Sequence, residues 1–344
     1  MKPIRVLIVD DSPTVQSVLT SILSEDADIE VVGAASDPFE AKDLILEVSP
    51  DVVTLDVEMP RMDGITFLKR LMSFRPLPVI MISSYTRENS RRTLEALDAG
   101  AVDFVAKPTE DVKTGLEELK HEITTKIRAA AQAKVKPSIL FEKPEKPAPA
   151  AAIEPSDKII AIGASTGGTR AMQRVLGSMP SNVNGIVIVQ HMPARFTKTF
   201  AQNLDAMCEM DVKEAEDGDR VDRGKALIAP GGWHLEVAMD QNGYYVRLQN
   251  GQPVNYQRPS VDVLFHSVAE TAGGNAIGIL LTGMGSDGSD GLLGMKEGGA
   301  FTIAQDEATS VVFGMPGSAI ERRAAVVVAA LNDIAPVIFS ALKM

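Results

Sequence analysis

The chain has 344 residues, of which 45% are hydrophobic and 23% charged, with a formal net charge of −12. That length is comfortable for two soluble domains, and the acidic balance argues against a nucleic-acid-binding output, which needs a basic surface. Cys208 is the single cysteine, which excludes an intrachain disulfide or a thiolate metal cluster and fits a reducing compartment.

Five short runs rich in Val, Ile and Leu come first: Arg5–Val9, Ile29–Ala34, Val52–Leu55, Val79–Ile82 and Val102–Val105. Helical patterns separate them, with Thr14–Ser24 and Phe39–Glu47 the clearest. This alternation predicts a doubly wound, five-stranded parallel sheet covered on both faces. Pro13 suits a first helical turn, where its missing N–H is not needed.

From 134 to 157 the composition changes to repeated Pro, Ala and Lys with no structural period. Proline blocks helix and sheet bonding, so this stretch reads as a semi-rigid linker between a domain at 1–133 and another at 158–344. Beyond it, Ile159–Ile162, Gly185–Val189, Ala226–Ile228 and Ala276–Leu281 read as buried strands. Thr169–Leu176, Phe196–Met207, Val261–Thr271 and Ser289–Glu297 read as helices. Trp233–Met239 and Tyr244–Leu248 read as an antiparallel pair turning at Asp240-Gln241-Asn242-Gly243, with Asn-Gly the strongest turn element. The second domain is therefore predicted as mainly parallel α/β with a small hairpin excursion. No stretch reaches the ~20 apolar residues needed to span a bilayer. Asp10-Asp11 interrupts any signal-like apolar run. The expected setting is cytoplasmic, without membrane insertion.

Functional groups in doubly wound sheets gather at the C-terminal strand ends. There the first domain places Asp10, Asp11, Asp56, Ser84 and Lys107. Single aspartates after strands are common caps and turn formers. Three together repel unless a hard cation such as Mg²⁺ joins them. In that reading Asp56 is a nucleophile accepting a phosphoryl group, with Lys107 supplying positive charge and Ser84 a hydroxyl.

Gly163-Ala164-Ser165-Thr166-Gly167 follows an apolar strand and precedes a helical pattern, and fits the G-x-S-x-G form. Ser165 is open to three readings: a nucleophile, part of a glycine-loop site for an anion or nucleotide phosphate, or a helix cap. As a base, His191 is best placed, following Gly185–Val189; His234 is second, while His121 and His266 fall in helices. Asp287, after Ala276–Leu281, is the first choice of orienting acid, with Asp290, Asp262 and Asp306 as alternatives.

Residues 1–125 resemble the receiver domain of two-component response regulators through Val9-Asp10-Asp11-Ser12, Leu55-Asp56-Val57-Glu58-Met59-Pro60, Met62-Asp63-Gly64, Ser83-Ser84 and Lys107-Pro108. The resemblance implies Asp56 as phosphoacceptor, Mg²⁺ among Asp10, Asp11 and Asp56, phosphate contacts from Ser84 and Lys107, and Phe104 at the switching-aromatic position. Residues 158–344 resemble the catalytic domain of the chemotaxis-type protein-glutamate methylesterases. That likeness rests on Ile162–Gly168, Gln190–Pro193, Ala229–His234, Arg258–Asp262, Leu281–Gly288 and Gln305–Glu307.

It implies removal of methyl groups from glutamyl methyl esters on methyl-accepting chemoreceptors, and deamidation of receptor glutamines, by Ser165, His191 and Asp287. It needs no cofactor for the hydrolysis. Backbone N–H groups of Thr166 and Met284 are the expected oxyanion donors, and a chemotaxis histidine kinase the expected phosphodonor. Domain order together with the resemblance implies that the receiver restrains the Ser165 edge until Asp56 is phosphorylated. Two other function classes are left open: a phosphorylation-regulated binding module with a non-catalytic glycine-loop site for an anion or nucleotide, and an interaction protein whose hydrolase-like domain is catalytically dead.

Overall fold

Apolar runs too short for helices, each ending in a turn signal, become parallel strands because only burial on both faces accommodates them. The computed structural model describes residues 2–83, 87–107, 114–135 and 156–344, with backbone alone at 87–88 and 114–118. The chain divides into two compact units, Met1–Glu142 and Lys143–Met344. The proline-rich stretch lies outside the described residues except for Lys134, Val135, Ser156 and Asp157.

The first unit runs β1 (Ile4–Val9), α1 (Pro13–Ser24), β2 (Ile29–Ala35), α2 (Pro38–Val48), β3 (Val52–Asp56), α3 (Gly64–Phe74), β4 (Val79–Ser83), α4 (Arg87–Ala99), β5 (Asp103–Ala106) and α5 (Thr114–Gln132). Its five strands are parallel in the order β2-β1-β3-β4-β5. Every residue of β3 and β4 is buried. Pro13 opens α1 as expected, with the Ser12 hydroxyl accepting from Val15 N–H. The chain leaves β1 toward one edge and returns at β3, so Asp10, Asp11 and Asp56 flank the point where strand order reverses.

The second unit runs β6 (Ile159–Ala164), α6 (Gly168–Leu176), β7 (Ile186–Gln190), α7 (Ala194–Asp205), β8 (Asp211–Glu214), β9 (Lys225–Ile228), β10 (His234–Asp240), β11 (Gly243–Gln249), α8 (Val261–Ala272), β12 (Ala276–Leu280), α9 (Ser289–Glu297), β13 (Phe301–Gln305), α10 (Met315–Glu321), β14 (Val327–Ala329) and α11 (Ile334–Ala341). Seven parallel strands lie in the order β14-β13-β12-β6-β7-β9-β8. Strands β8, β13 and β14 and helices α10 and α11 extend what the sequence pattern predicts. The hairpin forms, but its register pairs Asp240 with Gly243, leaving Gln241-Asn242 at the tip. The positive φ falls on Gly243 at 104°, so Asn-Gly does not form the centre of this turn.

The core here is built from β6, β7 and β12 against Val261, Leu264, Phe265 and Val268 of α8, all fully buried. The hairpin is pinned to the same helix: Val237 N–H donates to Ser267 Oγ at 2.9 Å, and Thr271 Oγ1 donates to Val237 O at 3.0 Å. Central β6 has β7 on one side and β12 on the other, which makes the β6/β12 boundary the reversal point of this sheet.

Candidate functional site

In the first unit, Asp10 and Asp56 are buried and Asp11 is exposed. All three offer carboxylate oxygens within 4.8 Å of one another. The Lys107 ammonium lies 2.9 Å from Asp56 Oδ2 and 3.0 Å from Asp10 Oδ2. It donates a hydrogen bond to Asp56 and forms an ion pair with the buried Asp10 Oδ2. Burial pushes the Asp56 carboxyl up to about 6, against the lowering influence of Lys107. Burial acts downward on Lys107, but Asp56 and Asp10 outweigh it and hold the ammonium above its ordinary value. Three carboxylates converging this closely, two of them buried, are the oxygen donor set a hard divalent cation takes.

Gly64 in the Met62-Asp63-Gly64 motif is explained by contact: a Cβ there would lie 1.9 Å from the Asp56 carbonyl oxygen. Phe104 is packed inward at 2% exposure, with the Lys126 ammonium 5.0 Å from its ring centroid. Ser84 lies outside the described residues.

In the second unit, parallel pairing matches Ala164 with Gln190, so the next residues, Ser165 and His191, leave adjacent strand ends together. His191 N–H donates to Ala164 O at 3.1 Å. Ser165 is tied on both flanks: its N–H donates to Thr282 O at 3.0 Å, and its carbonyl accepts from Gln190 Nε2 at 2.9 Å. Ser165 is partly exposed, as an attacking group requires.

His191 Nε2 donates to Asp287 Oδ2 at 2.8 Å, with both side chains nearly buried. Nδ1 is then the nitrogen left to take a proton. Asp287 accepts four further hydrogen bonds: Val261 N–H at 2.7 Å on Oδ2, and Ser260 Oγ at 2.7 Å, Asn255 Nδ2 at 2.9 Å and Asp262 N–H at 3.2 Å on Oδ1. Burial alone would raise this carboxyl, but the bond and charge of His191, with the hydrogen bonds of Asn255 and Ser260, hold it well below the usual carboxylate range. The first turn of α8 thus serves as an anion seat for Asp287.

The other acids named from sequence have different work. Asp290 pairs with Arg322 at 2.7 Å, and Asp306 Oδ1 accepts from Thr309 N–H at 3.0 Å. Asp262 Oδ1 accepts from Gly291 N–H at 2.7 Å in the first turn of α9. The arrangement is reciprocal: the acid before α9 caps α8, and the acid in α8 caps α9. Burial, with the charge of Asp287, raises the Asp262 carboxyl.

His234 has both ring nitrogens engaged by backbone, accepting from Ser260 N–H at 3.2 Å and donating to Gln252 O at 2.9 Å, so it braces the seat and has no nitrogen left for a base. His121 and His266 are exposed helix residues. Above Ser165, a Cβ on Gly283 would come within 2.8 Å of the Ser165 Cβ and 2.2 Å of Met315 Sδ, so only glycine lets this loop close over the serine. Met284 N–H, next in that loop, has no hydrogen-bond partner among the described residues. Thr166 is buried at the start of the turn into α6. Gln190, Asn255 and Ser260 had no chemistry assigned from sequence; nothing but proximity in the fold reveals their contacts.

A family model described as CheB methylesterase matches residues 160–338, and one described as response regulator receiver domain matches residues 6–119. The chain belongs to the CheB methylesterase family. Among relatives, a protein-glutamate methylesterase/protein-glutamine glutaminase of Syntrophotalea carbinolica is 50% identical, covering 97% of this chain and 96% of its own. A protein of the same description from Geobacter metallireducens is 51% identical, covering 97% and 94%. The crystal structure of the Thermotoga maritima CheB methylesterase catalytic domain aligns at a TM-score of 0.53 and 41% identity, covering 54% of this chain and 99% of its own. Family membership favours hydrolysis at the glycine loop over the non-catalytic reading. No described helix of this CheB-family chain is long and apolar enough to cross a membrane.

Proposed function

We propose that this chain is a phosphorylation-activated serine hydrolase that removes methyl groups from glutamyl methyl esters of methyl-accepting chemoreceptors and deamidates selected receptor glutamines. The observation that carries this reading is His191, leaving the strand end next to that of Ser165 with its ring bonded to a buried acid. Ser165 Oγ attacks the ester carbonyl as His191 Nδ1 takes its proton. Backbone N–H groups of Thr166 and Met284 receive the oxyanion. The tetrahedral adduct collapses, the C–OCH₃ bond breaks, and His191 returns the proton so that methanol leaves. Water then gives a proton to His191 and attacks the Ser165 ester, releasing glutamate and restoring the serine. With a glutamine substrate the departing group is ammonia.

In the receiver, Asp56 takes the phosphoryl group from a chemotaxis histidine kinase and Lys107 contacts the bound phosphate, with Ser84 as a second contact. Asp10, Asp11 and Asp56 would hold Mg²⁺, which would supply charge neutralisation for that transfer. Phe104 reports the change by repacking, and the receiver, joined by the 134–157 linker to the 158–344 catalytic domain, restrains the latter until phosphorylated. The working compartment is the cytoplasm. Methanol release from methylated receptor membranes tests both sites at once. It should rise on adding a small phosphodonor with Mg²⁺ and vanish in a folded Ser165→Ala variant. Methanol release by Ser165→Ala at the wild-type rate would refute the serine mechanism.

A further inference from the structure

The loop between β11 and α8 sends one side chain into the catalytic network. Asn255 Nδ2 donates to Asp287 Oδ1 at 2.9 Å and to Asp262 Oδ2 at 2.8 Å, so both amide hydrogens bridge two buried carboxylates. The amide can present only its nitrogen there, because its oxygen would face two carboxylate oxygens. Asn255 adopts a left-handed backbone, φ 53°, followed by Tyr256 at φ 62°. Asparagine tolerates that conformation better than most residues, and it alone of the tolerant types carries a neutral double donor at this reach.

We propose that Asn255 is a positioning residue for the hydrolysis, holding Asp287 apart from Asp262 and in line with His191. The proposal rests on the serine-hydrolase reading above. The two carboxylates cap each other's helices and sit close enough for each to disfavour the other's charge. Every other donor to Asp287 belongs to α8 or its cap, or to His191 itself. Asn255 is the donor from outside that also binds the competing acid. Without it, the Asp287 charge is less satisfied and turns more strongly on His191, favouring the protonated imidazole, which cannot act as base. The titratable groups around this point are His191 from the end of β7, Asp262 from α8, and His266 of α8 acting on Asp262.

The test compares full-length wild type, Asn255→Gly and Asn255→Asp, phosphodonor and Mg²⁺ present, by methanol release against pH. Glycine and aspartate both accept the left-handed backbone, so neither variant strains the loop. Trp233, the single tryptophan, reports folding of this unit by fluorescence. Of the two hydrogen bonds that Asn255→Gly removes, the one to Asp287 acts on the base, and its loss predicts a kcat lower by about 10-fold to 100-fold, with KM unchanged and the acid limb of the kcat/KM profile moved to higher pH. Asn255→Asp is near-isosteric but adds a third carboxylate, so it falls further at neutral pH. Its activity relative to wild type rises as pH drops and the new carboxyl becomes a donor. A wild-type kcat and pH profile in Asn255→Gly would overturn the proposal, as would an Asn255→Asp profile parallel to that of Asn255→Gly. Ser165→Ala run alongside separates this failure from failure of the hydrolase reading: methanol release by wild type and none by Ser165→Ala leaves that reading standing.

Discussion

Replacing Asp287 by Asn tests whether the buried acid serves the chemistry or only the fold. The carboxylate accepts five hydrogen bonds from a site 3% exposed. An amide retains one accepting oxygen and presents hydrogens where the other must accept. With nitrogen at the Oδ2 position it confronts Val261 N–H and the His191 ring; at the Oδ1 position it confronts Asn255 Nδ2 and Asp262 N–H. One or two buried donors left unpaired cost about 1–6 kcal/mol, the lower figure applying where His191 switches tautomer to accept from the amide. Relief of the repulsion on Asp262 offsets part of that, so the expected net loss is about 1–4 kcal/mol. For a domain of about 7 kcal/mol, ordinary for its size, more than nine-tenths of the molecules stay folded.

The kinetic effect is far larger. An amide at this position orients His191 in the wrong tautomer and offers no counter-charge to the imidazolium, which costs about 10⁴-fold in turnover in a comparable triad. Trp233 fluorescence in urea measures the first quantity, and methanol release per folded site the second. A lowered urea midpoint with kcat within 10-fold of wild type would show that Asp287 is a helix staple and that His191 works without it.

Phosphorylation of Asp56 by a small phosphodonor should weaken as pH is lowered through about 6, because burial has raised this carboxyl to about 6 and only the anion is nucleophilic. A folded-state value above the unfolded one also means that this ionised carboxylate destabilises the receiver as pH climbs toward 6, and cation binding opposes that. Incorporated phosphate measured at one fixed, limiting Mg²⁺ concentration from pH 5 to 8 checks the first point; a flat profile contradicts it. Gly283→Ala should lower kcat at least 10-fold even if Met315 yields, since the new methyl remains against the Ser165 Cβ; normal turnover would mean that the loop is free to lift.

Strand ends carry much of what could be read from sequence. Buried parallel strands are apolar runs, so the polar residue that ends each one is conspicuous, as Asp10, Asp56, Ser165 and His191 are. What stayed hidden depends on folding back over distance. Ser260 looks like an ordinary cap for α8, yet its hydroxyl gives no bond to its own helix and goes to Asp287 instead. Asp262 carries the chemistry of an orienting acid, and only its bond to Gly291 N–H shows that it caps α9. Asn255 sits in a loop with no period, 32 positions from the acid it holds. Strand β14 was illegible for another reason: three residues at a sheet edge, with Val328 half exposed, give neither an alternating nor a continuous apolar signal. β8, reading Asp-Val-Lys-Glu, has a polar composition that hides an edge strand.

The reciprocal capping of α8 and α9 bears on how such a site can decay. Ser165 is tied in place through its backbone N–H and carbonyl, so a descendant released from selection for turnover can exchange it for alanine and remain intact. Asp287 has no such freedom, because discarding it uncaps a helix and leaves the Ser260 hydroxyl without its acceptor. Catalytically silent copies of this chain should therefore have lost the serine while keeping the aspartate, so the residue that outlives the chemistry is the one that never touches substrate.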